Sequence, residues 1–352
     1  RLGRIVVGWQ APTGRDPGPP VTAAQLQAVD AMLALLKEAL RPNLVQTREG
    51  TPAFVHGGPF ANIAHGCSSV AATRVALAHA SEVVTEAGFG FDLGGEKFLD
   101  VKMRQVGLWP SAVVLVATVR ALREHGASRV PDGGPQAQLE QGLDHLRRQV
   151  ENVRAFHLPV VVALNVFPGD TDEELEVVER FAGTLGVPSA RVTAFVDGGA
   201  GAEALARTVL STLDANAATD TAAETAPSFL YPDDAPLADK ISTVATRIYG
   251  AAEVTYEPEA EAQLDALQRA GFGKLQVCMA KTHLSFAGSA KDGGLAEGFD
   301  LRIREVRLSA GAGFVVAVAG TVVTMPALPF EPAALRMRVD AEGRVTGLMQ
   351  EG

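Results

Sequence analysis

The sequence predicts an α/β protein: a doubly wound parallel sheet followed by a smaller α+β module. Two uninterrupted β-branched runs, VVLVATV at Val113–Val119 and VVVALN at Val160–Asn165, suit parallel strands buried on both faces. Strand-like and helix-like segments alternate four times between Val83 and Asp214, the pattern of right-handed β-α-β crossovers. An Ala/Thr-rich interval, ANAATDTAAETAP at Ala215–Pro227, reads as a linker and marks a boundary.

Each element follows from local pattern. Arg4–Trp9 reads as a strand, and the Gly/Pro-rich Gln10–Pro20 as a loop. Thr22 is placed to cap a helix running through AAQLQAVDAMLALLKEAL, where apolar residues recur at helical spacing. Asn43 opens an irregular stretch leading to HGGPFANIAHG (His56–Gly66), and a helix follows over Ser68–Ala80. The short apolar Val83–Thr85 reads as the first parallel strand and stops at Glu86 and the glycine-rich GFGFDLGGEKF. After Val113–Val119 come a helix at Gln136–Phe156, the strand Val160–Asn165, a helix at Thr171–Leu185, a strand at Arg191–Val196 and a helix at Gly201–Asp214. Beyond the linker lie helices at Leu237–Tyr249 and Glu259–Ala270, then the β-rich VVAVAG, TVVTM and MRVDAEGRVTGLM, the last a hairpin turning at Glu342–Gly343.

Composition narrows the function. With 47% hydrophobic and 20% charged residues, the 352-residue chain can bury a substantial core. Its formal charge of -10, without a block of Lys and Arg, argues against nucleic acid as a partner and leaves a small anionic ligand open. Cys67 and Cys278 are far apart and lack CxxC spacing, so neither a disulfide framework nor a zinc site is indicated, and the expected compartment is reducing. No apolar run reaches the ~18 residues that span a bilayer and no signal-peptide pattern is present, so no membrane partner and a cytoplasmic location are expected.

HGGPFANIAHG places glycine, asparagine and two histidines where a buried element would want apolar side chains. Gly57, Gly58 and Gly66 permit close approaches, and His56 and His65 can donate, accept or titrate near neutrality, as catalytic groups or as structural hydrogen-bonders. In a doubly wound sheet the residues following each strand converge on one edge. They are Glu86, Gly88 and Phe89; Arg120; Asn165, Phe167 and Pro168; and Phe195, Asp197, Gly198 and Gly199. Phe167 and Phe195 in such loops suggest a slot for a flat aromatic ligand, or else loop anchors. Glu86 and Asp92 could hold a metal or pair with Lys97 and Arg120. No G-x-x-x-x-G-K-[ST] phosphate loop occurs in the chain.

HGGPFANIAHGC (His56–Cys67), VVTEAGFGFDLGGEKF (Val83–Phe98), VATVRALREHG (Val116–Gly126), CMAKTHLSF (Cys278–Phe286) and SAGAGFVV (Ser309–Val316) together resemble formate–tetrahydrofolate ligase, from Arg1 to the C-terminus. The resemblance implies a P-loop-NTPase-like sheet, incomplete on its N-terminal side. It also implies three parts: 1–82 as the remnant of an earlier domain, 83–226 as the α/β domain, and 227–352 as the α+β domain. It implies that ATP and Mg²⁺ activate formate as formyl phosphate, which N10 of tetrahydrofolate attacks to give 10-formyltetrahydrofolate, ADP and phosphate. Formate is a poor acyl donor until phosphate replaces oxide as its leaving group. Stimulation by a monovalent cation, K⁺ or NH4⁺, and a homotetramer of full-length chains are implied as well.

By the same resemblance, Phe167 with Pro168, and Phe195 before Gly198 and Gly199, hold the pterin. Phe89 and Asn165 lie near the nucleotide, and His56, His65 and Glu86 are the catalytic candidates; no metal ligand is assigned. Phe195 stands where Trp is usual, which weakens stacking by about 1 kcal/mol. Ser68–Ser69 stand for Asn-Ser, Leu284 for the Tyr after K-T-Q, Ala327 for a Gly and Ala127 for the signature's last Gly. The family's phosphate loop belongs to an N-terminal region outside this match, so the chain alone is expected to be inactive and to require that region. The alternative expectation is a non-catalytic folate-binding or assembly module derived from the ligase.

Overall fold

The computed structural model describes residues 1–11, 18–218, 227–288, 298–320, 322, 333–342 and 345–347. The chain divides into two compact units, Arg1–Val322 and Val323–Gly352.

The first unit opens with β1 (Val6–Trp9) paired antiparallel to β2 (Pro20–Thr22). Thr22 does cap, and reciprocally: its Oγ1 accepts from the Gln25 amide at 3.4 Å while Gln25 Oε1 accepts from the Thr22 amide at 2.7 Å. The long helix expected to follow is nevertheless interrupted. Gln27 sits at φ 55°, which an α-helix cannot accommodate, so a turn is made first and the helix runs only over Val29–Leu36. β3 (Asn43–Gln46) and β4 (Pro52–Val55) form an antiparallel hairpin, and a helix over Val70–His79 is capped by Ser69 Oγ.

Val83–Thr85 is not a strand. Val84 is 97% exposed, so the segment lacks the covered faces that its apolar run implied. Ala87 and Gly88 are held to the HGC turn instead: Gly88 N–H donates to Gly66 O at 2.8 Å, and Ala87 bridges Cys67. The glycine-rich run beyond, given no element by the sequence pattern, is a buried helical segment with π-type turns at Phe91–Gly95 and Phe98–Met103, closing at Arg104–Val106. Gly94 lets it press on the preceding chain, since a Cβ there would meet Ala87 C at 2.9 Å.

The parallel sheet is real and has three strands among the described residues, ordered β5 (Val113–Ala117), β6 (Val160–Asn165), β7 (Ser189–Val192). β5 ends two residues earlier than its β-branched run because Thr118 Oγ1 accepts from the Ala121 amide and starts a helix at Val119–Ala127. Arg120 therefore lies on that helix, paired with Glu124 at 3.1 Å, rather than in a strand-end loop. Helices Pro135–Arg154, Asp172–Thr184 and Glu203–Ala218 complete the layer pattern. The last of these covers the start of the expected linker, whose residues 219–226 lie outside the described ones.

Helix Leu237–Val244 continues into a π turn at Ala245–Tyr249, and helix Pro258–Leu267 into another at Gln268–Phe272. They accompany a second, mixed sheet, β8 (Glu253–Tyr256), β10 (Asp300–Ser309), β11 (Phe314–Ala319), β9 (Gln276–Ala280), in that spatial order. One core cluster includes Leu164 of the parallel sheet, Val150 of the Pro135–Arg154 helix, Phe156 just beyond it, and Val277 and Val315 of the mixed sheet.

In the second unit, β12 (Arg338–Val339) pairs antiparallel with β13 (Val345–Thr346), the hairpin read from the sequence. Gly343 of its turn, and TVVTM apart from Val322, lie outside the described residues.

Candidate functional site

The carboxyl ends of β6 and β7 are neighbours, because Asn165 and Val192 are paired across them. Asn165 is half-buried, and the chain then emerges as Phe167, 48% exposed, and Pro168. The turn is fixed by Asp170 Oδ2, which accepts from the Phe167 amide at 2.9 Å. A capping box follows, with Thr171 Oγ1 accepting from Glu174 N–H and Glu174 Oε2 from Thr171 N–H.

After β7 the chain coils at once instead of extending to Val196: Ala194–Asp197 is one helical turn, and Gly198–Ala202 a 3₁₀ turn. Thr193 drives this departure. Its Oγ1 donates to Asp197 Oδ2 at 2.6 Å and its amide donates to Gly201 O at 3.0 Å, pulling both flanks inward. Phe195, 78% exposed, thus projects from a helical turn rather than from a strand-end loop. Gly199 N–H donates to the Glu49 carboxylate from the β3–β4 turn, which lies over the Gly198–Gly199 backbone.

A second constellation forms around the histidine-rich run. Both His56 nitrogens are engaged by the protein, Nδ1 with Ser69 Oγ at 2.7 Å and Nε2 with Ala39 O at 2.8 Å. The carbonyl can only accept, so Nε2 carries the proton and Nδ1 accepts from the serine hydroxyl. Gly66, at φ 66°, lies so close to Ala61 that a Cβ there would overlap it, which curls the run back on itself. Lys97 enters this curl from below and donates to Ala61 O. His65 packs its ring 6.4 Å from Phe314. Burial, with the charges of Lys102 and Lys97, holds its pKa below the usual value against an opposing hydrogen bond with the Cys67 backbone. Among the described residues, the buried Lys102 Nζ has no hydrogen-bond partner, although it sits 5.0 Å above the Phe98 ring.

Phe89 is held at φ 60°, a left-handed backbone that a bulky residue seldom adopts, and 42% of it is exposed. Its ring stacks on His283 with centroids 4.6 Å apart and planes at 25°, and Phe60 of the histidine-rich run lies 6.5 Å away. Glu86 is exposed.

Beneath these aromatics runs a column of buried carboxyls at four-residue spacing, Asp92, Glu96 and Asp100. Asp92 pairs with Lys281 at 3.0 Å, in place of the partners Lys97 and Arg120 considered for it. Burial opposes its ionisation, yet Lys281 and a Gln149 hydrogen bond hold its pKa below the carboxylate range. Glu96 is pushed well above that range by burial and by Asp100, and among the described residues neither of its oxygens has a hydrogen-bond partner. Asp100, 2.7 Å from Arg104, is raised to about 6 because burial outweighs the guanidinium. Cys67 and Cys278 are free and buried, each thiol pushed up to about 11 by desolvation. Sequence reasoning missed Phe60, Lys281 and His283. The i, i+4, i+8 acids and the KTH triplet were visible but carried no pairing information.

The fold and these two constellations define an α/β protein that offers exposed aromatic faces at the carboxyl edge of a parallel sheet. A family profile described as formate–tetrahydrofolate ligase matches residues 1–349. Curated formate–tetrahydrofolate ligases from Paracoccus denitrificans, Myxococcus xanthus and a Nocardioides species are 53%, 52% and 50% identical to it over 99% of this chain. The chain belongs to the formate–tetrahydrofolate ligase family. It spans about three fifths of the length of these relatives, 62% of the Myxococcus protein and 61% of the other two. No helix among the described residues is long and apolar enough to cross a membrane.

Proposed function

We propose that this chain carries the folate-binding face of an ATP-dependent ligase that joins formate to tetrahydrofolate, giving 10-formyltetrahydrofolate through formyl phosphate. The observation that carries this reading is the pair Phe167 and Phe195, both exposed just past the carboxyl ends of adjacent parallel strands. A pterin ring laid against them removes aromatic surface from water and gains ring stacking of about 1 kcal/mol per face. The Pro168 and Gly198–Gly199 turns shape the entry. Phe89, backed by His283, offers a further face for a planar ring, and Asn165 stands at the carboxyl end of β6.

Attack of N10 on the formyl carbon leaves a proton on nitrogen. His65 can accept a hydrogen bond from that N–H, although burial and the Lys102 and Lys97 charges oppose full transfer of the proton to it, and the Lys102 amine, with no hydrogen-bond partner among the described residues, suits the charge of the acyl phosphate. His56 braces the loop that presents His65, and Glu86, exposed beside that loop's partner segment, remains a further candidate. The reaction draws on ATP, Mg²⁺ and a monovalent cation, K⁺ or NH4⁺. The described residues contain no group of three or more His, Cys, Asp or Glu placed to hold a metal, and the sequence contains no G-x-x-x-x-G-K-[ST] loop. A homotetramer, and an N-terminal region bringing the phosphate cradle, belong to the same proposal.

Titrating tetrahydrofolate against intrinsic fluorescence tests the folate face. Phe167→Ala should weaken binding about fivefold, the equivalent of one lost stack. Unchanged affinity in both Phe167→Ala and Phe195→Ala would remove the carrying observation. Turnover of ATP, formate and tetrahydrofolate by the chain alone would refute both the folate-binding module and the need for an N-terminal region.

A further inference from the structure

We propose that the buried Asp92–Lys281 ion pair is a positioning device that bolts the helical segment after Phe89 to the Lys281–Phe286 loop so that Phe89 presents its ring against His283. The proposal rests on the reading that Phe89 faces a planar ligand, and it adds residues which that reading does not use.

The geometry is over-determined on both sides. Lys281 Nζ has three protons, and three oxygens receive them: Asp92 Oδ2 at 3.0 Å, Thr282 O at 3.1 Å and Ser285 O at 2.6 Å. The two carbonyls flank His283, so the ammonium fixes the loop that carries that ring. On the other side, Gln149 of the Pro135–Arg154 helix grips Asp92 twice. Its Nε2 donates to Asp92 Oδ1 at 2.9 Å and its Oε1 accepts from the Asp92 amide at 3.2 Å. Phe89 is three residues upstream, and the chain between them passes through Gly90, where a Cβ would meet Gln149 Nε2 at 2.8 Å. The chain is therefore pressed against the Asp92–Gln149 pair at the point where Phe89 takes its left-handed turn. The helical segment and the Lys281–Phe286 loop are thus joined by buried charge below and by the Phe89–His283 stack above. Asp92 and Lys281 are both buried, and Lys281 Nζ also lies 4.8 Å from the Tyr249 ring. A pair so desolvated holds its geometry tightly and is strongly disrupted when one partner alone is removed.

The test reads the His283 ring directly. In ¹H–¹³C spectra of histidine-labelled protein, His283 signals, assigned by their loss in His283→Gln, should be displaced by the Phe89 face, and Phe89→Leu gives the unstacked reference. In Asp92→Asn, which keeps the shape of the carboxyl but removes its charge, and in the double variant Asp92→Asn/Lys281→Met, which leaves no lone buried charge, they should move to that reference. The signals of His56, tied to Ser69 and Ala39, should stay in place. Retention of the displaced His283 signals in either folded variant would overturn the proposal. A parallel titration with tetrahydrofolate separates the two claims. A loss of affinity of about ten- to a hundredfold accompanies misplacement of a ligand-facing ring. Collapse of the stack with unchanged affinity would support the clamp and refute the assignment of Phe89 to the ligand face.

Discussion

Gly126→Ala offers the sharpest test of the packing. Gly126 on the Val119–Ala127 helix and Gly142 on the Pro135–Arg154 helix face each other across a crossing where backbone meets backbone. A Cβ on Gly126 would lie on the Gln138 carbonyl, with Gln138 C at 2.7 Å and Gly142 N at 2.8 Å, whereas ordinary contact starts at 3.4 Å. No rotamer relieves this overlap with backbone, so the helices must part far enough to forfeit much of the dispersion along the seam. In an exposed helix the same change would stabilise by about 1 kcal/mol through propensity. Here overpacking of about 3 kcal/mol outweighs it, for a net loss of about 2 kcal/mol. The His125 and His145 rings, 3.7 Å apart at 9° on the same two helices, should separate as well. The urea midpoint, with its slope unchanged, measures the loss. A Gly126→Ala chain as stable as the parent would refute the contact.

Other outcomes rest on the same geometry. Thr171→Ala removes a reciprocal cap and should lower stability by about 1 kcal/mol, read from the urea midpoint. His145 is pushed down to about 3 by burial and by His125, from an unfolded value of 6.5. Its stabilising contribution is therefore complete above 6.5 and lost as pH falls toward 3, so the parent should lose stability relative to His145→Phe across that window. Phe195→Trp should tighten tetrahydrofolate about fivefold by enlarging the stacking face, which a binding titration would show.

Periodicity fixed the long elements because burial enforces it. The Pro135–Arg154 and Asp172–Thr184 helices and β6 lie within a few residues of where their patterns put them. It failed where a single hydroxyl decided the backbone. Thr118 ends β5 inside a β-branched run, and Thr193 coils the chain that carries Phe195. Val83–Thr85 was apolar enough for a strand, but strand formation also depends on what covers it, and nothing local encodes that. The buried segment after Gly90 was hidden for the opposite reason: its glycines and charges carry no helical pattern, whereas Gly94 serves close packing and Asp92 is neutralised by a lysine nearly two hundred residues away. The exposed phenylalanines were legible because they broke the expectation of polar loops. The pairing of Phe89 with His283 was not, since it joins segments far apart in the chain.

The left-handed backbone at Phe89 makes stability and ligand binding pull apart at a single codon. Glycine would relieve about 1–2 kcal/mol of backbone penalty at φ 60° while deleting the ring. A library randomised at position 89 should therefore enrich glycine under thermal challenge and aromatic residues under selection for a bound planar ligand. The distance between those two winners gauges how much of this turn exists to serve a ligand rather than the fold.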